Sequence, residues 1–285
     1  MLVKAIACEA VAETQQPLSR QSLGDLKRRA DGELGRPISR STLWRVLNHD
    51  AIKPWQFRHW IFPRDPRFAE RAGPVLDLYA GTWEGQPLGA RDVVLSSDEK
   101  TSIQARQRVH AGVGPRPGHA RRVEPEYVRR GALQYFAAWD VRRGLVIGRC
   151  EAKTGIAAFG RLVEQVLQRP PYATAERVFI VVDNGSSHRG QASVRRMRAL
   201  DARIVLVHTP VHASWLNQVE VYFSIIQRKV LTPNDFPDLD AVRLRLALYE
   251  ELTNRQPKPF EWKFTRKELL AWVQRAKSQF TTQAA

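Results

Sequence analysis

Three acidic residues stand where they could share one task. Asp98 closes an apolar segment that begins at Val93 and runs through Leu95-Ser96-Ser97. Asp183 closes the unbroken apolar run Val178-Phe179-Ile180-Val181-Val182. Such runs mark a central strand covered on both faces, and sites of open α/β sheets gather just beyond the carboxyl ends of those strands. Glu220 lies in the segment Trp215–Val230, where Leu216, Val219, Phe223, Ile226 and Val230 recur at helical spacing. At about 100° per residue it borders that stripe, so it edges the face that packs on the sheet. Singly, each has a plainer reading: Asp183-Asn184-Gly185 is a turn, and Glu220 is one half of a flanking ion pair. Together in a basic chain the acids repel one another unless a cation lies among them. Carboxylate oxygens, with waters, suit Mg2+. Two such ions can activate an attacking water or 3′-hydroxyl and steady the leaving oxygen of a phosphodiester. In such a site Asp98 would be the bridging ligand, with Asp183 and Glu220 each completing one ion.

The elements that must position these acids occupy residues 92–229. Strands are predicted at Val93–Leu95, Leu133–Asp140, Leu145–Glu151, Val178–Val182 and Ile204–Val207. The second and third are joined across Val141-Arg142-Arg143-Gly144 as a hairpin. Helices are predicted at Ile156–Gln168, Gly190–Leu200 and Trp215–Val230, and, further on, at Leu239–Leu252 and Arg266–Lys277, divided by the Pro257-Lys258-Pro259 break. A hairpin followed by strand–helix alternation gives an α/β fold, a mixed sheet with helices on both faces, in the order of an RNase H-like domain.

Ahead of it, residues 1–52 read as a small all-α helix-turn-helix domain. Gln21–Leu34 is broken by Gly35-Arg36-Pro37, and Ser39 caps a second helix from Arg40 to about His49. Arg40, Ser41, Thr42 and Arg45 stand near the start of that helix, where side chains of a recognition helix enter the major groove. A plain helical hairpin with a wet polar face has the same pattern. Residues 53–91 read as a basic, aromatic linker in which Arg58 and Arg64 could track phosphates. Residues 92–285 read as the catalytic domain with a helical C-terminal part.

Composition agrees with a nucleic-acid partner. The chain has 285 residues, with 45 Lys and Arg against 29 Asp and Glu, a net charge of +16. That excess favours a polyanion. Cys8 and Cys150 form neither a CxxC pair nor a zinc spacing, and no apolar run reaches the length of a membrane span. The opening MLVKAIACEA is too short and too broken by charge for a signal peptide. A cytosolic location, where DNA is available, and no membrane partner are therefore expected.

Three motifs carry a family resemblance: Leu95-Ser96-Ser97-Asp98-Glu99-Lys100-Thr101, Val182-Asp183-Asn184-Gly185-Ser186-Ser187-His188, and His212-Ala213-Ser214-Trp215-Leu216-Asn217-Gln218-Val219-Glu220. At these residues the sequence resembles bacterial insertion-sequence transposases of the mariner-like DDE superfamily, the insertion-sequence-630 type. The interval from Asp183 to Glu220 (220 − 183 = 37) fits that family's short spacing between its second and third acids. The resemblance covers most of the chain, from the helix-turn-helix through Trp262. It implies an RNase H-like core, two Mg2+ or Mn2+ ions held by Asp98, Asp183 and Glu220, and His188 and Asn217 as neighbours that orient substrate or ligands. It also implies binding to double-stranded DNA at terminal inverted repeats, cut-and-paste insertion at a short target such as TA, and a homodimer on DNA. Mariner-like relatives use an insertion after the first acidic strand as a dimer clamp. Here Gln104–Arg130 is the matching segment, equally readable as a mobile basic loop. Relatives carry two helical DNA-binding units, and this chain has room for one. Other readings are an inactive or truncated remnant that only binds DNA, or another RNase H-like nuclease.

Overall fold

The computed structural model describes residues 2–9, 18–56, 65–185 and 190–283, with side chains to Arg275. The chain divides into two compact units, 1–62 and 63–285.

The first unit is helical: α1 (Leu2–Cys8), α2 (Leu23–Leu34) and α3 (Arg40–His49). Ser22 and Asp25 form a reciprocal capping box that starts α2, and Gly35, at φ 62°, ends it in the left-handed region. Ser39 starts α3 by accepting from the Thr42 amide at 3.0 Å. Val3, Ile6, Leu26, Ala30, Leu43 and Leu47 meet in one small core. Helix α1 gave no clear signal in the sequence, yet with Val3, Ile6 and Ala7 it supplies three of the seven buried residues described in that core.

The second unit opens with α4 (Phe68–Tyr79) and a two-stranded hairpin, β1 (Thr82–Trp83) and β2 (Gln86–Pro87). Both lie in the segment read as a linker, and the buried Phe68, Ala72, Val75 and Leu76 are core residues of this unit. The main sheet has five strands: β3 (Asp92–Arg108), β4 (Tyr127–Asp140), β5 (Val146–Glu151), β6 (Arg177–Val182) and β7 (Ile204–His208). Their order is β5-β4-β3-β6-β7. The β3–β4 and β4–β5 pairs are antiparallel, and β3–β6 and β6–β7 are parallel. The β4–β5 turn is built by Asp140. Its buried carboxylate accepts from the amides of Arg142 and Arg143, and Gly144 closes the turn at φ 70°.

Strand periodicity sends alternate side chains to two cores. Val93, Leu95, Val178, Ile180 and Val182 face α5 (Ile156–Leu167) and α6 (Gly190–Leu200). Val94, Phe179 and Val181 face α4, α7 (Val219–Lys229) and α8 (Leu239–Arg255). The last helix, α9 (Arg266–Gln283), packs on α4 through Leu269 and Trp272. The mixed sheet with helices on both faces is the architecture expected from the sequence.

Several boundaries differ from that expectation, two of them near the acids. Strand β3 does not stop at Asp98 but continues to Arg108, because its antiparallel ladder with β4 outlasts its parallel ladder with β6. The ends of Gln104–Arg130 are therefore strand, pairing out to Arg108 and Tyr127, and the segment is a long hairpin, not a simple loop. The guanidinium groups of Arg106 and Arg108 lie over the Tyr127 ring, 4.8 and 5.3 Å from its centre. Helix α7 starts at Val219, not Trp215. A short 3-10 turn, Ser214–Leu216, and the extended Asn217 come first.

Candidate active site

The parallel register aligns the first two acids. Asp92 pairs with Arg177 and Ser96 with Val181, a constant offset of 85 (177 − 92 = 85; 181 − 96 = 85). Carried two residues past the ladder, the same offset sets Asp98 opposite Asp183 (183 − 98 = 85). Asp98 shares its strand face with Val94 and Ser96, the side covered by α7. Glu220 stands in the first turn of that helix, at the positive end of its dipole.

The start of α7 is tied to β3 by buried hydrogen bonds. Ser96 Oγ donates to Asn217 Oδ1 and accepts from the Val219 amide at 2.8 Å. Asn217 Nδ2 donates to the Ser97 carbonyl at 3.0 Å. The Tyr79 hydroxyl donates to the Leu216 carbonyl at 2.9 Å. Trp215 lies among Phe68, Phe264 and Trp272, which anchors the 3-10 turn to α4 and α9. Asn217 is fully buried, and its bonds fasten the start of the helix that bears Glu220 to β3.

The acids sense one another. Asp98 is 7% exposed. Burial, then the Asp183 charge, with Glu99 and Glu220 adding to it, pushes its carboxyl up to about 8. The Glu99 amide, 2.8 Å from Asp98 Oδ1, opposes that rise. Glu220 is half-buried and also raised, by burial and by Asp183, while Lys100 pulls it down. Asp183 uses one oxygen to accept from the Gly185 amide at 2.7 Å, so the turn suggested by Asp-Asn-Gly is present. Asn184 Nδ2 bonds the Thr209 carbonyl and ties this turn to the end of β7.

Among the described residues, no three His, Cys, Asp or Glu side chains stand close enough to hold an ion as they are. The donor set is nonetheless all hard oxygen, and its mutual repulsion is what a divalent cation would relieve. His188, Arg58 and Arg64 lie outside the described residues. In the first unit, Arg40, Ser41 and Arg45 are exposed on α3. Thr42 is engaged in the cap, where its hydroxyl accepts from Ser39 Oγ at 2.8 Å. Sequence reading missed Tyr79 and the Ser96–Asn217 bond.

A mixed sheet of this order, with Asp98 within β3, Asp183 just past β6 and helices on both faces, is the architecture of an RNase H-like nuclease. The chain belongs to the family of DDE superfamily endonucleases, whose model matches residues 93–243, more than half of the sequence. The fold is similar to that of three solved structures. One is the Mos1 mariner paired-end complex with Mn, at 15% identity, 92% of this chain, 78% of that chain and a TM-score of 0.54. A pre-cleavage Mos1 transpososome is 13% identical over 92% and 80%, with a TM-score of 0.55. The Mos1 strand transfer complex is 14% identical over 97% and 75%, with a TM-score of 0.53. No curated protein matches the sequence significantly. No helix among the described residues is long and apolar enough to cross a membrane.

Proposed function

We propose that this endonuclease is a DNA transposase of the mariner-like kind, close to the insertion-sequence-630 type. It would cleave DNA strands at the terminal inverted repeats of a mobile element and join them to a target such as TA. The observation that carries this reading is the placement of Asp98 within β3, Asp183 just past the end of β6 and Glu220 in the first turn of α7, near enough that Asp183 raises the carboxyls of the other two. The solved relatives described as paired-end and strand transfer complexes support the choice of substrate.

In this reading Asp98, Asp183 and Glu220 hold two Mg2+ or Mn2+ ions. When bound, the ions supply Lewis-acid activation of the attacking oxygen and charge stabilisation of the leaving one. Asn217 and Ser96 keep Glu220 turned toward β3. His188 orients substrate. Residues 1–52 form the DNA-reading domain, with Arg40, Ser41, Thr42 and Arg45 at the groove. Arg58 and Arg64 follow phosphates in the stretch between α3 and α4. Residues 63–285, with α4 in their core, form the catalytic domain. The working form is a homodimer on double-stranded DNA in the cytosol.

A supercoiled plasmid carrying the element's ends tests this. With Mg2+ or Mn2+, the expected products are breaks at the ends and their joining to target DNA. Cleavage of branched DNA or RNA with no preference for the ends would assign a different RNase H-like nuclease. End binding without cleavage in either metal would leave a DNA-binding remnant.

A further inference from the structure

Helix α8 carries two apolar faces. Val242 and Leu246 are buried against the sheet. On the other side Leu244, Leu248 and Leu252, four residues apart, are 61%, 52% and 60% exposed. Ala247 beside them is exposed as well. A helix at the surface of a folded unit presents one apolar stripe, and a second stripe calls for a second surface. Side chains spaced by four form a ridge that fits the groove of another helix. Phosphates do not suit it, because leucine offers neither charge nor a hydrogen-bond donor.

The ends of the ridge carry opposite charges. Asp240 lies one turn before Leu244, and Arg255 about one turn after Leu252, with side chains 90% and 68% exposed. Leu248 is midway between Leu244 and Leu252, and the midpoint of Asp240 and Arg255 falls beside it. A two-fold axis at Leu248 therefore lays Leu244 on Leu252 of a second copy. It also brings Asp240 beside Arg255 of the second copy, twice. Parallel pairing would instead bring the acidic N-terminal ends, with Asp238 and Asp240, together. Asp240 and Arg255 now pair with Arg243 and Glu251 at the surface, and exchanging such exposed pairs costs little.

We propose that a second copy of this chain covers the ridge, through an antiparallel α8–α8 contact that forms without DNA. The contact does not involve Asp98, Asp183 or Glu220, so its failure would leave the cleavage reading untouched.

Analytical ultracentrifugation of the full chain without DNA, over a concentration series, tests it. The expected result is a monomer–dimer equilibrium. Leu248→Glu should weaken it by at least about tenfold, with Leu248→Gln as a milder variant and circular dichroism confirming that both fold. Asp240→Arg and Arg255→Asp should each weaken it by about fivefold, and the double variant should recover most of the loss. A wild-type monomer at every concentration would overturn the proposal. So would a dimer indifferent to Leu248 substitution, or a double variant no stronger than the single ones.

Discussion

The guanidinium of Arg177 meets the buried carboxylate of Asp92 in two hydrogen bonds, the Nε contact at 2.9 Å, at the first step of the β3–β6 ladder. This pair marks the register that sets Asp98 opposite Asp183. Arg177 also holds the Asp92 carboxyl below the usual range. Arg177→Met should destabilise the protein by about 2–3 kcal/mol near neutral pH, because a buried carboxylate loses its partner. The sign follows from the lowered carboxyl. The pair's contribution is present above the unfolded aspartate value and is lost as pH falls through the folded one. Urea unfolding at two pH values checks this, and a variant as stable as wild type at pH 7 would count against the register role.

Asn217 should matter through position. Asn217→Ala leaves the Ser97 carbonyl and the Ser96 hydroxyl without their buried partner, a loss of about 1–3 kcal/mol. Cleavage should fall by at least about tenfold, since Glu220 is no longer held toward β3. DNA binding by the first unit should stay unchanged. Gel-shift and cleavage assays on one preparation separate the two effects.

What the sequence made legible was local. The run Val178–Val182, the Ser39 cap and the Val141–Gly144 turn each carry their signal within a few residues. Asp98 looked like a strand end because the apolar pattern stops there. The strand goes on because polar residues from Lys100 to Arg108 pair with β4, and antiparallel pairing demands no apolar run. Helix α7 looked longer because Leu216 fits its stripe, but the Asn217 side chain is claimed by Ser96 and Ser97, some 120 residues away. Tyr79 reaches Leu216 across 137 residues, and no spacing rule joins such a pair.

Glu250 gives a separate pH signature. It is raised to about 7, mainly by burial, against an ordinary value of 4.5, and its carboxylate accepts from the Gly148 amide at 2.9 Å. Between those two values the unfolded chain ionises first, so stability falls as pH rises through that window and then levels off. The loss relative to Glu250→Gln should reach up to roughly 3 kcal/mol. Thermal unfolding of both proteins from pH 4 to pH 8 checks it. A constant difference would contradict the assignment.

Arg45 is exposed on α3. Arg45→Ala should weaken binding to the cognate end by about 1–3 kcal/mol and binding to random DNA by less. Competition gel shifts measure both, and an equal loss on the two DNAs would make Arg45 a phosphate contact.

The central claim is that Asp98, Asp183 and Glu220 act as one unit. Cleavage of an end-bearing DNA in Mg2+ and in Mn2+ should be measured for Asp98→Asn, Asp183→Asn and Glu220→Gln, alongside DNA affinity. Each variant is expected to bind DNA nearly as wild type does and to cut nothing detectable in either metal. Cleavage near the wild-type rate in any one of the three would contradict the claim.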